Sequence, residues 1–215
     1  SAFKSCTGLT SITIPDSVTS VGSQAFMDCR GLTSITLGTG ITTTPSYMFA
    51  NCTGLTSVTI PSGITGIDQY AFSGCSGLTS VTIPNTVTSI GASAFSGSTN
   101  LYTVTVPDTV TTIGSSAFNG VTILYYNGTA TGSPWGAKCV NGYVEGDFIY
   151  SDNTKTEIKA YIGTDTTVNI PDTVTTISDK VFESNTTVIT INMPNSVSVI
   201  GANVFDGCTN LTLVN

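Results

Sequence analysis

Six cysteines are the first residues in this 215-residue chain whose type and spacing could do chemistry. Cys6, Cys29, Cys52 and Cys75 follow one another at a step of 23 residues, and Cys208 falls on the same step after a gap. An even number of cysteines can signal disulfides. Equivalent positions on stacked coils would also bring Cα atoms within the roughly 4.4–6.8 Å that a bridge requires. The fixed period argues instead for a packing column, small apolar side chains stacked at one corner of a repeating coil. Cys139 lies off that column.

The chain has no histidine and no Cys-x-x-Cys pair. The first absence removes the Ser-His and Cys-His nucleophile pairs, and the two together leave no ligand set for structural zinc. Asp16, Asp108 and Asp172 fall where a turn itself would use them. A glycosidase needs two carboxylates facing each other across a sugar, whereas those in one column of a repeat lie side by side. Asp108, Asp172 and Asn195, or Glu145, Asp147 and Asp152, could offer oxygens to calcium. No EF-hand or Gly-rich nonapeptide accompanies them, so they read as solvated turn residues. No Gly-rich loop opens a helix to cradle phosphates. The expectation is a non-catalytic chain with no cofactor and no metal.

Charge narrows the partners. Charged residues are 9% of the chain and its net charge is −7, unevenly divided: −2 over residues 1–120 and −5 over residues 121–215. No basic cluster exists to neutralise phosphates, which excludes nucleic acid and argues against anionic membrane surfaces. No apolar run approaches the roughly 18 residues of a membrane span, and no signal peptide opens the chain. The sequence begins and ends inside a repeat, as expected of a window from a longer protein.

What must position these residues is a single recurring element. Phe3, Phe26, Phe49, Phe72, Phe95 and Phe118 are each 23 residues apart, and Phe182 and Phe205 resume the step. Within Leu9–Gly31, Ile12 and Ile14 share one face of a strand and Ser11 and Thr13 take the other. Pro15-Asp16 ends the strand in a turn. Val18 and Val21 return inward on a second short extended piece. Gly22 is expected to turn the chain with φ > 0, and Ser23 to cap a single helical turn through Phe26. Such a coil cannot bury its apolar face alone, so a stacked solenoid follows. Gly38 and Thr44-Pro45 depart from the pattern and predict a local kink. Ser98, Val121 and Asn185 replace the periodic cysteine.

The pattern L-T-S-I-T-I-P-x-x-V-T-x-I-G-x-x-A-F-x-x-C resembles the BspA-like leucine-rich repeats of bacterial and protozoan surface proteins. The resemblance implies a leucine-rich-repeat solenoid of α/β class, dominated by β structure. One curved parallel sheet would be backed by short helical turns and interrupted by a β-hairpin insert. It implies a first repeat block over 1–123, an irregular aromatic-rich segment over 124–164 and a second block over 165–215. Within that segment, alternation in 146–150 and 157–162 around a turn at 151–156 predicts the hairpin, at about residues 143–162.

Two surfaces are candidates for binding. On the open, concave face of the ladder, Ser11/Thr13, Ser34/Thr36, Ser57/Thr59, Ser80/Thr82 and Thr103/Thr105 form two hydroxyl columns, continued by Thr167/Asn169 and Thr190/Asn192. Such an array suits a glycan or a polar protein surface, although Ser and Thr also simply keep a sheet soluble. The insert offers Trp135, Tyr143 and Tyr150, residue types that anchor interfaces, against the plainer reading that its aromatics pack it onto the array. The expected function is a monomeric, cell-surface or secreted adhesion module that recognises a host or matrix protein or a glycan. The alternatives are a structural spacer or an accessory module of a larger enzyme.

Overall fold

The computed structural model describes residues 1–132 and 134–215. They form two compact units, Ser1–Val140 and Asn141–Asn215. The boundary between the units, at 140/141, falls inside the aromatic-rich segment expected over 124–164.

In the first unit the long strand of each coil lies parallel to its neighbour. Ser11–Thr13 pairs with Ser34–Thr36, Ser57–Thr59 with Ser80–Thr82, and Thr103–Thr105 with Ile123–Tyr125. A second parallel ladder runs through Thr43–Thr44, Gly66–Ile67, Ser89–Ile90 and Thr112–Ile113. The central residue of each long Ser/Thr-flanked strand turns inward and the flanking residues stay exposed, as period 2 requires. Between the two ladders runs the phenylalanine column. Phe26 and Phe49 lie 5.3 Å apart between ring centroids, Phe49 and Phe72 5.5 Å, Phe72 and Phe95 5.3 Å, Phe95 and Phe118 5.6 Å. The four rings from Phe49 to Phe118 are fully buried.

The expected helical turn is not a helix, and the reason is hydrogen bonding. Two slots of this segment are left-handed in coil after coil. One holds Gln24, Tyr47, Tyr70, Ser93 and Ser116; the other holds Asp28, Asn51, Gly74, Gly97 and Gly120. An α-helix satisfies its amides internally. Here alternate amides donate to the next coil instead: Gln24 to Ser46, Phe26 to Met48 and Asp28 to Ala50, over 2.8–3.1 Å. The same set repeats from Tyr47, Phe49 and Asn51 onward. The back of the coil is therefore a third intercoil ladder.

Gly22 does not supply the positive φ expected of it; Gln24 and Asp28 do. A Cβ on Gly22 would meet nothing within 4 Å, whereas later glycines of this slot are required by space. At the equivalent Gly91 and Gly114, a Cβ would lie 2.4 Å from the Gln69 amide nitrogen and 2.3 Å from that of Ala92. The Thr44-Pro45 departure leaves Thr43–Thr44 paired in register with Gly66–Ile67, so no strand is lost where a kink was expected. At the end of the unit, the carbonyl of Trp135 accepts the Phe118 amide at 3.0 Å, and Trp135 packs edge-on against Tyr126 at 5.5 Å. Residues 126–132 and 134–137 thus serve as a cap where the next regular coil would lie.

The second unit repeats the plan. Thr167–Asn169, Thr190–Asn192 and Leu213–Val214 pair in parallel, as do Glu157–Tyr161, Thr176–Ile177 and Val199–Ile200. The predicted hairpin is a three-stranded antiparallel meander: Tyr143–Glu145, Phe148–Tyr150 and Glu157–Tyr161. The strand expected to begin at Gly146 begins at Phe148. Gly146, at φ +56, makes with Asp147 the tight turn from the additional strand. Tyr161 then takes up the aromatic column, 5.0 Å from Phe182, which lies 5.6 Å from Phe205.

Candidate functional site

The parallel registers place the hydroxyl columns as the spacing predicts. Ser11 faces Ser34, Thr13 faces Thr36, Ser57 faces Ser80 and Thr59 faces Thr82. All of these, with Thr103 and Thr105, are exposed. Among the described residues no side-chain hydrogen bond engages their hydroxyls. Neighbouring threonines differ: Thr33 donates its hydroxyl to the Thr10 carbonyl at 3.0 Å, and Thr79 to Thr56 at 3.0 Å. Threonines just before the strands thus stitch coils together, while those on the strand face keep their hydrogen-bonding capacity for solvent or a ligand. In the second unit that capacity is partly taken up. Asn192 donates to Asn169 at 2.7 Å and Asn215 to Asn192 at 2.8 Å, a head-to-tail carboxamide ladder.

Two tyrosines at the end of the hydroxyl face were absent from the sequence-based site. Tyr102 continues the step of Thr10, Thr33, Thr56 and Thr79, and Tyr125 pairs with Thr105. They are 40% and 39% exposed, among the most exposed aromatics of the unit. Burial, then the nearby Tyr125 phenol, pushes the Tyr102 phenol above its ordinary pKa. The 23-residue step could have flagged Tyr102. Tyr125 lies 20 residues after its strand partner, where the sequence step breaks, and only the register reveals it.

The insert aromatics separate into two groups. Trp135 and Tyr150 are buried, at 5% and 2% exposure. Trp135 donates its indole N–H to the Thr131 carbonyl at 2.9 Å, and Tyr150 packs 6.1 Å from Phe148. Both do packing work and present little surface to a partner. Tyr143 is exposed, with the Lys155 ammonium 5.8 Å from its ring centroid.

The cysteine column carries no disulfide among the described residues. Beyond Cys6, which has no preceding coil, the column thiols donate across the coil step to a phenylalanine carbonyl: Cys29 to Phe3 at 3.1 Å, Cys75 to Phe49 at 3.2 Å and Cys208 to Phe182 at 2.9 Å. Ser98 makes the same bond to Phe72 at 3.4 Å, so this departure from the cysteine pattern preserves the donor. Among the described residues no three Cys, Asp or Glu side chains gather as a metal cluster.

The fold is thus a parallel leucine-rich-repeat solenoid whose exposed ladder is uncharged and rich in hydroxyls. The chain belongs to the BspA type leucine rich repeat family, whose model matches residues 1–124 and 151–215 in six copies. Solved proteins to which it is similar include the following three. One is a leucine-rich repeat protein from Bacteroides ovatus, with 24% identity, a TM-score of 0.53 and coverage of 95% of this chain and 60% of that one. The pneumococcal vaccine antigen PcpA shares 21% identity with a TM-score of 0.52, covering 96% of this chain and 50% of that one. A leucine rich cell surface protein from Faecalibacterium prausnitzii shares 28% identity with a TM-score of 0.51, covering 96% and 60%. The chain therefore spans only half to three-fifths of the length of these relatives. No curated protein matches it.

Proposed function

We propose that this chain is a non-catalytic binding module of a cell-surface or secreted protein, recognising a glycan or a polar host-protein surface through the hydroxyl face of its first unit. The observation that carries this reading is the contrast between threonines engaged in intercoil hydrogen bonds and face hydroxyls that engage no protein partner. A neutral face flanked by Tyr102 and Tyr125 suits a neutral polyhydroxylated ligand, because hydroxyls exchange hydrogen bonds with sugars and exposed rings stack on them. The similarity to a leucine rich cell surface protein supports the location. The generally non-catalytic nature of leucine-rich repeats, together with the missing histidine, supports the absence of intrinsic catalysis.

The test is a glycan and matrix-protein array probed with this chain and with a Thr36→Lys/Thr59→Lys/Thr82→Lys variant. Binding that the variant loses upholds the face. Binding that the variant retains moves recognition to other surfaces. Silence from both chains favours a spacer, or an accessory module tethering an enzyme domain.

A further inference from the structure

Two tyrosines stand where the hydroxyl floor of the first unit ends. Three slots of each coil are exposed on that side: Thr10, Ser11 and Thr13 in the first coil, and their equivalents through Tyr102, Thr103 and Thr105 in the fifth. Of these fifteen positions fourteen are Ser or Thr, one is Tyr and none is charged. The column that starts at Ser11 leaves the surface after Thr103, because Ile123 and Cys139, next in register, are buried. The columns on either side of it end instead on the exposed rings of Tyr102 and Tyr125.

Packing does not account for either ring. At the slot of Tyr102, Thr33, Thr56 and Thr79 each give their hydroxyl to the carbonyl one coil back, over 3.0–3.5 Å. A tyrosine there forgoes that stitch and leaves its ring in solvent. At the slot of Tyr125, the five preceding coils all carry threonine. The two phenols are close enough for Tyr125 to raise the Tyr102 pKa, so both rings border one place at the end of the floor.

Resting on the hydroxyl-face reading, we propose that Tyr102 and Tyr125 recognise the end of a neutral, extended β-linked glycan. A terminal pyranose stacks its apolar face on the rings, and the chain runs down the columns toward Ser11 and Thr13. Equivalent hydroxyls recur at each strand spacing, roughly 4.8 Å, and an extended β-1,4-linked chain advances by nearly one such step per sugar. An α-linked helical chain leaves the columns after a few sugars. A charged glycan would lose water from its charges and find no opposite charge on this floor.

The test is a titration of the full ¹⁵N-labelled chain with cellotriose and cellohexaose, using maltohexaose as the α-linked isomer. Cellotriose should shift the amides of Tyr125, Thr105 and Thr82. Cellohexaose should extend the shifts to Thr59 and Thr36, and maltohexaose should bind about tenfold more weakly. Tyr102→Ala and Tyr125→Ala should each weaken cellohexaose binding about tenfold, the scale of one lost ring contact, while Tyr102→Phe and Tyr125→Phe retain it. Unshifted resonances elsewhere would show that the variants fold. Cellohexaose binding that both Ala variants keep and the Thr36→Lys/Thr59→Lys/Thr82→Lys variant loses would overturn the role of the tyrosines and leave the hydroxyl-face reading standing. Equal affinity for maltohexaose, no binding of cellohexaose, or a face that captures only proteins on the array would each overturn the proposal.

Discussion

The Sγ of Cys52 donates to the carbonyl oxygen of Phe26, 3.2 Å away in the preceding coil. That carbonyl also accepts the Cys29 amide of its own coil at 3.3 Å. The thiol is therefore a buried donor joining two coils, which a purely apolar side chain at this slot could not be. Burial, with the neighbouring Cys29 adding to it, pushes the Cys52 pKa up to about 12, and that of Cys75 higher still.

Thiolate is the reactive form of cysteine, so reactivity should follow depth in the column. Alkylation of the native protein at pH 8, mapped by mass spectrometry, is expected to modify the exposed Cys6 first. Cys29, Cys52 and Cys75, all fully buried, should react only after denaturation. Modification of Cys75 as fast as Cys6 would mean that the column opens readily.

Thr44 is fully buried, and its hydroxyl has no hydrogen-bond partner. It pairs in register with Ile67, in a column that continues to Ile90 and Ile113. Thr44→Val keeps the shape and removes the unsatisfied hydroxyl. It should raise stability by about 1 kcal/mol, read as a higher urea midpoint with an unchanged slope.

Phe72 and Phe3 occupy one slot with different surroundings. Phe72 is fully buried between Phe49 and Phe95, whereas Phe3 is 45% exposed and stacks only on Phe26. Phe72→Ala should cost about 3–5 kcal/mol through lost burial and a cavity. Phe3→Ala should cost about 1 kcal/mol, the scale of one ring contact. Equal losses in urea unfolding would contradict the column as the spine of the core.

Several carboxylates sit below their ordinary pKa. Asp16 is held down by the backbone amide of Thr39, Glu145 by Lys155, Asp152 by Thr154 and Glu157 by Lys159. Each folded-state pKa lies below the unfolded one. The stabilisation is therefore complete above the unfolded carboxylate range, near pH 4–5, and is lost as pH falls through the folded values. Urea midpoints should match at pH 7 and pH 6 and drop between pH 5 and pH 3. A midpoint that rises on acidification would show that repulsion among the acidic residues of this −7 chain outweighs these contacts.

Much of this molecule was legible because a period states its own geometry. Side chains at one slot of a solenoid must stack, so Phe26 above Phe49 and Ser11 beside Ser34 followed from counting. The alternation around Ile12 told which residues face out. The strand from 157 was also visible, ending one residue short of expectation at Tyr161. The left-handed slots were hidden because Gln24, Tyr47 and Ser93 are not residue types that signal positive φ. The glycine slot, read at Gly22 as a positive-φ turn, was misread for a related reason, visible at Gly91. Local conformation is guessed from a residue's own type, while the approach of the Gln69 backbone comes from another coil.

By itself, the sequence determined the repeat, the facing of its side chains, the family, and the lack of histidine-dependent chemistry, since each of these depends only on residue type and spacing. The tertiary structure decided what depends on contacts between distant segments. It sent alternate amides to the next coil in place of a helical turn and buried Trp135 and Tyr150. It set Tyr125 beside Thr105. The insert has no period to extrapolate, so only its folded packing could assign its residues to core, cap or surface.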